Sequence, residues 1–347
     1  MQPNKTRILV TGGTGYIGSH TVVELQNAGY DVIVVDNLSN SNIDVLDGIE
    51  AITGIRPAFV KGDITDKEVV ENLFKSYPGI KGIINFAASK AVGESVQKPI
   101  LYYRNNLVSL LNLLEAMPLY DVKGIVFSSS CTVYGEPDVN PVTENSPLKQ
   151  ATSPYGNTKQ ISEEIITDVI KSGAPIKSIL LRYFNPVGSH PSANIGELPN
   201  GVPQNLIPFL TQTAIGVRKQ LSVFGNDYPT PDGTCIRDFI DVVDLAKAHV
   251  MAMKRIIGDN MTEPVEIFNL GTGRGVSVQE LINTFEEATS VKVPYVMAQR
   301  RAGDIIQVWA DPTKANEILG WTAEVPLAET MKNAWKWQLK LRKKGIM

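Results

Sequence analysis

Tyr155 and Lys159 stand four residues apart in SPYGNTK. On a helix that spacing puts both side chains on one face. A phenol with the ordinary pKa near 10 is a poor base at neutral pH, and a neighbouring ammonium favours its ionised form. Twenty-five residues before the tyrosine, the stretch SSSCTVYG offers the hydroxyls of Ser130 and Thr132. Either hydroxyl can bond a substrate oxygen that is losing its proton. The set suits removal of a proton from a substrate oxygen, and a nicotinamide ring would add a second positive charge beside the phenol.

The opening stretch RILVTGGTGYIGSH supplies a place for such a ring's carrier. Gly12, Gly15 and Gly18 follow an apolar run and open a helix. Gly12 permits a tight turn, Gly15 lets backbone approach a pyrophosphate, and Gly18 lets the helix pack close to the strand. The helix start then offers free N–H groups and its positive dipole end to the phosphates. Asp36 ends the next apolar run, 21 residues after Gly15, where a carboxylate binds adenosine ribose hydroxyls and repels a 2′-phosphate. NAD is therefore expected rather than NADP. Asp63, in VKGDI, stands where it either meets the adenine or caps the following helix.

These residues need a frame, and the sequence predicts one. Short apolar runs without alternation at 7–10, 32–36, 57–61, 82–86, 124–128 and 178–183 read as strands buried on both faces. Helical stretches at 19–28, 67–76, 100–117 and 155–171 alternate with them. This is the rhythm of an α/β doubly wound parallel sheet, a Rossmann domain. From about residue 186 Pro and Gly break the rhythm, in NPVGSHPSANIGELPNGVP and GNDYPTPDGTC, and only a strand at 266–270 and a helix at 278–288 stand out. The expected division is an NAD-binding domain over 1–185 and a smaller mixed α/β domain over 186–347, with 237–270 a candidate to return to the first. The apolar stripe of the helix at 100–117 is too wide for one neighbour, so it is buried either within its own subunit or at a dimer interface.

Composition narrows the function classes. The 347 residues are 43% hydrophobic and 20% charged, with a net charge of −3 and a pI of about 5.8, which argues against a nucleic-acid surface or a basic membrane face. Two cysteines, Cys131 and Cys235, make no disulfide framework. No apolar run approaches the length of a spanning helix, and the N-terminal one is too short for a signal peptide, so a cytoplasmic protein is expected. Three widely spaced histidines give no histidine-rich metal site.

The motifs TGGTGYIG, AVGESVQKP, SSSCTVYG, SPYGNTK, RYFNPVGSHP, FGNDYPTPDGT and RRAGD together resemble those of the UDP-glucose (UDP-galactose) 4-epimerases, extended short-chain dehydrogenases/reductases. They span Thr11 to Asp304, nearly the whole chain. The resemblance implies that a tightly held NAD takes a hydride from sugar C4 while Tyr155 takes the 4-hydroxyl proton. The 4-keto sugar then swings over and regains the hydride on its other face. Ser130 and Thr132 match the hydroxyls that hold O4, and Lys159 the lysine that tunes the tyrosine. Lys90 matches a lysine that contacts the cofactor; read alone it is a solvated loop charge. Phe86 and Ala87 match the strand end lining the NAD pocket, and the resemblance also puts Tyr16, Ile17, Asn37, Ile64, Asn105 and Tyr183 along the cofactor. For the UDP-sugar, Asn185 matches a sugar or diphosphate contact, Asn205 and Leu206 a helix start facing the nucleotide, and Phe224 the wall of the uracil site. Arg237 and Arg301 match the diphosphate clamp, and Asp304 a uridine ribose contact. A homodimer is implied as well.

One departure concerns Val308, which stands where some members carry a tyrosine closing the sugar pocket. The smaller side chain leads to the expectation that N-acetylated UDP-sugars are also accepted. Cys131 reads as a buried thiol without a chemical role. Two rival readings remain. A nucleotide-sugar dehydratase of the same superfamily typically places Asp-Glu after the active-site Thr, whereas Thr132 is followed by Val133 and Tyr134. A non-catalytic NAD sensor would have no reason to keep Ser130, Tyr155 and Lys159 together.

Overall fold

The structure, a computed structural model, describes residues 5–301 and 304–346. Its first part runs β1 (Arg7–Thr11), α1 (Tyr16–Asn27), β2 (Asp31–Asp36), α2 (Val45–Thr53), β3 (Ala58–Lys61), α3 (Lys67–Ser76) and β4 (Ile80–Asn85). Then come α4 (Val92–Gln97), α5 (Pro99–Tyr103), α6 (Ser109–Leu119), β5 (Gly124–Ser128), α7 (Pro154–Lys171) and β6 (Lys177–Tyr183). The second part runs β7 (Asn185–Val187), α8 (Leu206–Ala214), β8 (Leu221–Phe224), β9 (Ile236–Arg237), β10 (Phe239–Asp241), α9 (Val242–Ile257) and β11 (Val265–Leu270). It ends with β12 (Val276–Ser277), α10 (Val278–Thr289), β13 (Tyr295–Ala298), β14 (Gln307–Val308) and α11 (Leu327–Lys343).

Seven strands form one parallel sheet in the order β11-β6-β5-β4-β1-β2-β3. Along β1, Ile8 and Val10 enter the core on the side of α1, α2 and α9, while Leu9 enters the core under α3, α6 and α7. A strand with apolar neighbours on both faces has no polar face to show, which is why these runs do not alternate. The strand order reverses between β1 and β4, and the carboxyl ends of such strands frame the crevice where ligands bind in doubly wound sheets.

β11 completes the sheet beside β6, and α9 packs on α1, although both follow the irregular stretch in sequence. The remaining strands form sheets of two or three strands, around a separate core built from α8, β8, α10 and α11.

The helix expected at 100–117 is interrupted. A π-helical turn at Arg104–Val108 separates α5 from α6. Within it the Asn106 amide donates to the Ser89 carbonyl (3.1 Å) and the Thr158 hydroxyl (3.0 Å) and accepts from the Ser89 N–H (2.8 Å). A widened turn that aims a buried amide is a known use of π geometry. Of the broad apolar stripe, Tyr102, Leu110, Leu113, Leu114 and Met117 are buried within the chain, whereas Ile100, Leu101, Leu111 and Leu119 are exposed.

Candidate active site

β5 ends in three consecutive serines that meet one face of α7. The helix begins with Ser153 as its cap, accepting from the Gly156 N–H (3.1 Å), and with Pro154 at its first position. Tyr155, Lys159 and Glu163 follow at intervals of four and share that face. The Lys159 ammonium donates to the Ser128 carbonyl at 2.6 Å, and the Ser129 hydroxyl donates to Glu163 Oε1 at 2.5 Å. Ser130 caps the short 3₁₀ turn Cys131–Tyr134 by accepting from the Thr132 N–H (3.2 Å). The Ser128 hydroxyl shares a short hydrogen bond with the Tyr183 phenol.

The electrostatics differ from the simple picture of an ammonium ionising a phenol. Lys159 Nζ lies 5.8 Å from the Tyr155 ring centroid and is held by a carbonyl. Burial pushes the Tyr155 phenol well above its ordinary value, helped by Tyr183 and Cys131, while contact with the Ser130 side chain pulls it down. Burial also lowers Lys159 to about 8 against the opposing pull of Glu163. Burial thus favours the protonated phenol, and a positive charge placed beside it would oppose that effect. The Thr132 hydroxyl and Asn185 Oδ1 are buried and lack a hydrogen-bond partner among the described residues. Unpartnered buried polar atoms are costly, and a polar ligand would relieve both.

The glycine turn lies at the switch between β1 and β4. Gly12 adopts φ +67°, and a Cβ there would stand 2.8 Å from the Ala87 nitrogen. A Cβ on Gly18 would stand 2.2 Å from the Gly12 carbonyl oxygen. Gly15, as the N-cap, provides no side chain to the first N–H groups of α1. Ile17 packs half-buried at the edge of the core, and the Tyr16 phenol donates to the Gly188 carbonyl (2.8 Å), tying this turn to the second part. Phe86 and Ala87 follow β4, bonded through N–H groups to the Thr11 carbonyl (3.1 Å) and hydroxyl (3.3 Å).

Asp36 ends β2, and its carboxylate accepts from the Leu38 N–H (2.9 Å), the Ser41 hydroxyl (3.1 Å) and the Thr14 N–H (3.3 Å). Asp63 accepts from Asn37 Nδ2 (3.1 Å) and from the Thr65 N–H and hydroxyl. It does not cap the following helix, because Asp66 does, accepting from the Glu68 N–H (2.9 Å). The Ile64 side chain is buried in the core under α3 and α6. Asn105 donates to the Ser89 hydroxyl (3.1 Å), and Lys90 lies exposed, 3.9 Å from Glu197.

The second part contributes a separate set. Asn185 opens β7, and Asn205 is the N-cap residue of α8, just before Leu206. The Asn205 amide does not cap its helix but donates to Glu197 Oε1 at 2.6 Å. Glu197 is thus a largely buried carboxylate between Lys90 and Asn205, which burial holds above the usual carboxylate range. Sequence reasoning missed it, and its one signal is an acidic residue inside a Gly/Pro-rich stretch. Phe224 ends β8 with the Arg301 guanidinium 4.5 Å from its ring centroid. Arg237 lies 3.6 Å from Asp304. Arg300, by contrast, is committed to Asp227 (2.7 Å) and the Tyr228 ring. Ala302 and Gly303 of RRAGD lie outside the described residues.

Val308 departs from expectation. It is 3% exposed and belongs to a small apolar cluster with Val133, Tyr134, Phe184 and Ala310, rather than bordering open space. The β14–β9 pairing sets Val308 opposite Arg237 and turns it into that cluster. Val133 and Tyr134 are fully buried there, and the Tyr134 phenol donates to Asn269 (2.7 Å) and accepts from Arg182 (3.0 Å). The two positions after Thr132 therefore offer no acid or base to a substrate.

Comparison with known proteins gives concordant likenesses. Residues 9–334 match a protein-family model described as GDP-mannose 4,6 dehydratase. The chain is 51% identical over 331 residues to the UDP-glucose 4-epimerase of Bacillus subtilis, covering 95% of this chain and 96% of that one. Among solved structures it resembles UDP-glucose 4-epimerase from Stenotrophomonas maltophila with bound NAD and formylated UDP-arabinopyranose (TM-score 0.94, 44% identity, 98% and 99% of the two chains). It also resembles UDP-glucose 4-epimerase from Bifidobacterium longum in complex with NAD+ and UDP (TM-score 0.91, 47% identity, 96% and 98%).

Proposed function

Because the chain belongs to the UDP-glucose 4-epimerase family of extended short-chain dehydrogenases/reductases, we propose that it interconverts UDP-glucose and UDP-galactose at sugar C4 through a 4-keto sugar, with NAD as resident cofactor. The carrying observation is the meeting of Tyr155 and Lys159 with the Ser128–Ser130 strand end, at the same carboxyl edge of the sheet as the glycine turn and one strand, β4, away from it. The matched family model bears a dehydratase's description, but the buried Val133–Tyr134 pair leaves no carboxylate for water loss.

The residues fit a dinucleotide. The glycine turn is a cradle that side chains would fill, α1 offers an uncapped start, and Asp36 closes the far end with a carboxylate. Gly12, Gly15, Tyr16, Ile17 and Gly18 would hold the pyrophosphate. Asp36, Asn37, Asp63 and Ile64 would hold the adenosine, with Phe86, Ala87, Lys90, Asn105 and Tyr183 toward the nicotinamide. When bound, NAD supplies a hydride acceptor that returns the hydride to the opposite face of C4. Tyr155 takes the 4-hydroxyl proton and later gives it back, so no net oxidation occurs. Ser130 and Thr132 hold O4, and the otherwise unpartnered Thr132 hydroxyl suits that task. Lys159 holds its ammonium between strand end and phenol.

The division of labour follows the two cores. The part formed by β1 to β6, with Val242–Leu270 returning to it, holds the dinucleotide, and the remainder from Asn185 onward holds the UDP-sugar. Asn185, Asn205, Leu206, Phe224, Arg237, Arg301 and Asp304 surround the nucleotide, and the guanidinium forks of both arginines suit diphosphate oxygens. For sugar range, a tyrosine at 308 would not fit the packed cluster and would force the residues around it to shift, so the smaller valine is compatible with acceptance of an N-acetyl group. The exposed Ile100, Leu101, Leu111 and Leu119 support a homodimer through α5 and α6, which sedimentation of the purified protein tests.

The decisive assay offers UDP-galactose and UDP-GalNAc separately to purified protein with no NAD added. Formation of UDP-glucose is expected, and its absence would defeat the reading. Conversion of UDP-GalNAc that falls in Val308→Tyr supports the broader sugar range; equal failure of both proteins removes it.

A further inference from the structure

The face of α7 that carries Tyr155 and Lys159 has a third member. Glu163 continues the same row, and all three meet the same strand end: Tyr155 beside Ser130, Lys159 on the Ser128 carbonyl, and Glu163 on the Ser129 hydroxyl. Glu163 is also gripped from β6. Arg182 donates Nε to Oε1 (2.9 Å) and Nη2 to Oε2 (2.5 Å), a two-pronged contact with both partners buried. The third Arg182 nitrogen donates to Tyr134, which closes the 3₁₀ turn carrying Thr132, and Tyr134 donates to Asn269 on β11.

We propose that Glu163, clamped by Arg182, is a positioning residue of the epimerisation, fixing the α7 face and the Ser128–Thr132 turn in one register so that Tyr155, Lys159 and the O4-holding hydroxyls converge on the same carbon. Three facts separate this from general stabilisation. Glu163 reaches the serine between the two that serve Lys159 and Tyr155. Arg182 spends its remaining donor on the active-site turn rather than on bulk structure. A buried charged pair is a poor way to gain stability but fixes geometry sharply, since fork and carboxylate meet in one plane. The clamp also leaves a negative charge one helical turn from the Lys159 ammonium, opposing the burial that would discharge it. The titratable and charged groups packed about this face are Tyr155, Lys159 and Glu163 from α7, Arg182 and Tyr183 from β6, Cys131 and Tyr134 from the turn, Tyr102 from α5 and Glu144 from the loop before α7.

The inference rests on the epimerase reading, and the test keeps the two apart. Wild-type interconversion is measured first, and if there is none that reading fails by itself. Given an active wild type, Glu163→Gln is compared for NAD content, KM for UDP-galactose and kcat across pH. The expected result is a kcat lower by about tenfold to a hundredfold, the penalty of small misplacements at a reacting centre, with KM near wild type. The alkaline limb moves to lower pH, because the Glu163 charge that opposes the lowering of Lys159 is gone. Glu163→Asp, which keeps the charge, should restore the position of the limb. Unchanged kcat and limb, or a kcat loss tracking lost NAD with the limb in place, would overturn the proposal. Should Glu163→Gln not fold, Ser129→Ala decides, since it removes one hydroxyl only. A several-fold fall in kcat at unchanged KM upholds the positioning role, and wild-type kcat ends it.

Discussion

The two parts of the molecule hold their functional residues in different ways. In the seven-stranded part, most candidate groups sit at or just past the end of a buried strand, or on a helix packed against one: Asp36 at the end of β2, Phe86 after β4, Ser130 after β5, Tyr155 and Lys159 on α7. In the second part, Asn205, Phe224, Arg237, Arg301 and Asp304 stand on strands of two to four residues, on helix caps or in loops; Arg301 lies over Phe224, Arg237 faces Asp304, and Asn205 bonds Glu197. The contrast teaches where precision is needed. Under the proposed function, proton and hydride positions, which tolerate little displacement, would rest on the sheet, whereas nucleotide recognition would be spread over contacts that adjust.

Several changes would sharpen or break that contrast. The largest effect is expected from Tyr155→Phe, which should lower kcat about a hundredfold or more while NAD stays bound, as loss of a general acid–base group does. Absorbance of bound cofactor and steady-state rates read both. Next is Gly18→Ala, whose methyl would press on the Gly12 carbonyl. A cost of about 1–3 kcal/mol from overpacking should lower the melting temperature and the NAD content together. A fully loaded, equally stable Gly18→Ala would show that the turn has slack. On the other side, Arg301→Ala should raise KM for UDP-galactose about tenfold with kcat little changed, because it removes binding made equally to ground and transition states. A kcat effect as large as that of Tyr155→Phe would erase the distinction between the parts.

The smallest effect is a matter of pH. Burial lowers Lys159 to about 8, so its ammonium is present below that value and lost as pH rises through it. kcat should therefore decline above about pH 8, and Lys159→Arg, whose guanidinium stays charged, should remove that limb even if it slows the reaction. A flat profile to pH 9.5 would detach the ammonium from turnover.

The sheet was largely legible because strands buried on both faces announce themselves as short apolar runs, and the glycine turn because its spacing has few other uses. Connectivity was only partly readable. The return of 237–270 was open as a candidate, and Val242–Ile257 and Val265–Leu270 do return, but nothing local in them names α1 and β6 as their partners, since β-pairing partners are chosen by tertiary packing. The broken helix at Arg104–Val108 was hidden for a similar reason, as its cause is the tertiary bonding of Asn106. Within the site, Tyr155, Lys159 and Ser130 were readable by type and spacing, but Glu163, Arg182 and Glu197 were not, because a buried charge looks like a surface charge until its partner is known. Val308 was placed by likeness alone, and only the cluster around it shows which way it faces.

The position of β11 has a consequence for how the chain is made. As a nascent polypeptide emerges, β6 remains an unpaired, apolar edge until roughly eighty further residues have followed, and an edge of that kind is a template for association between chains. Cutting the gene after residue 185 should accordingly yield aggregates rather than a small dinucleotide binder, whereas a break in an exposed loop beyond residue 270 leaves the closing strand in place.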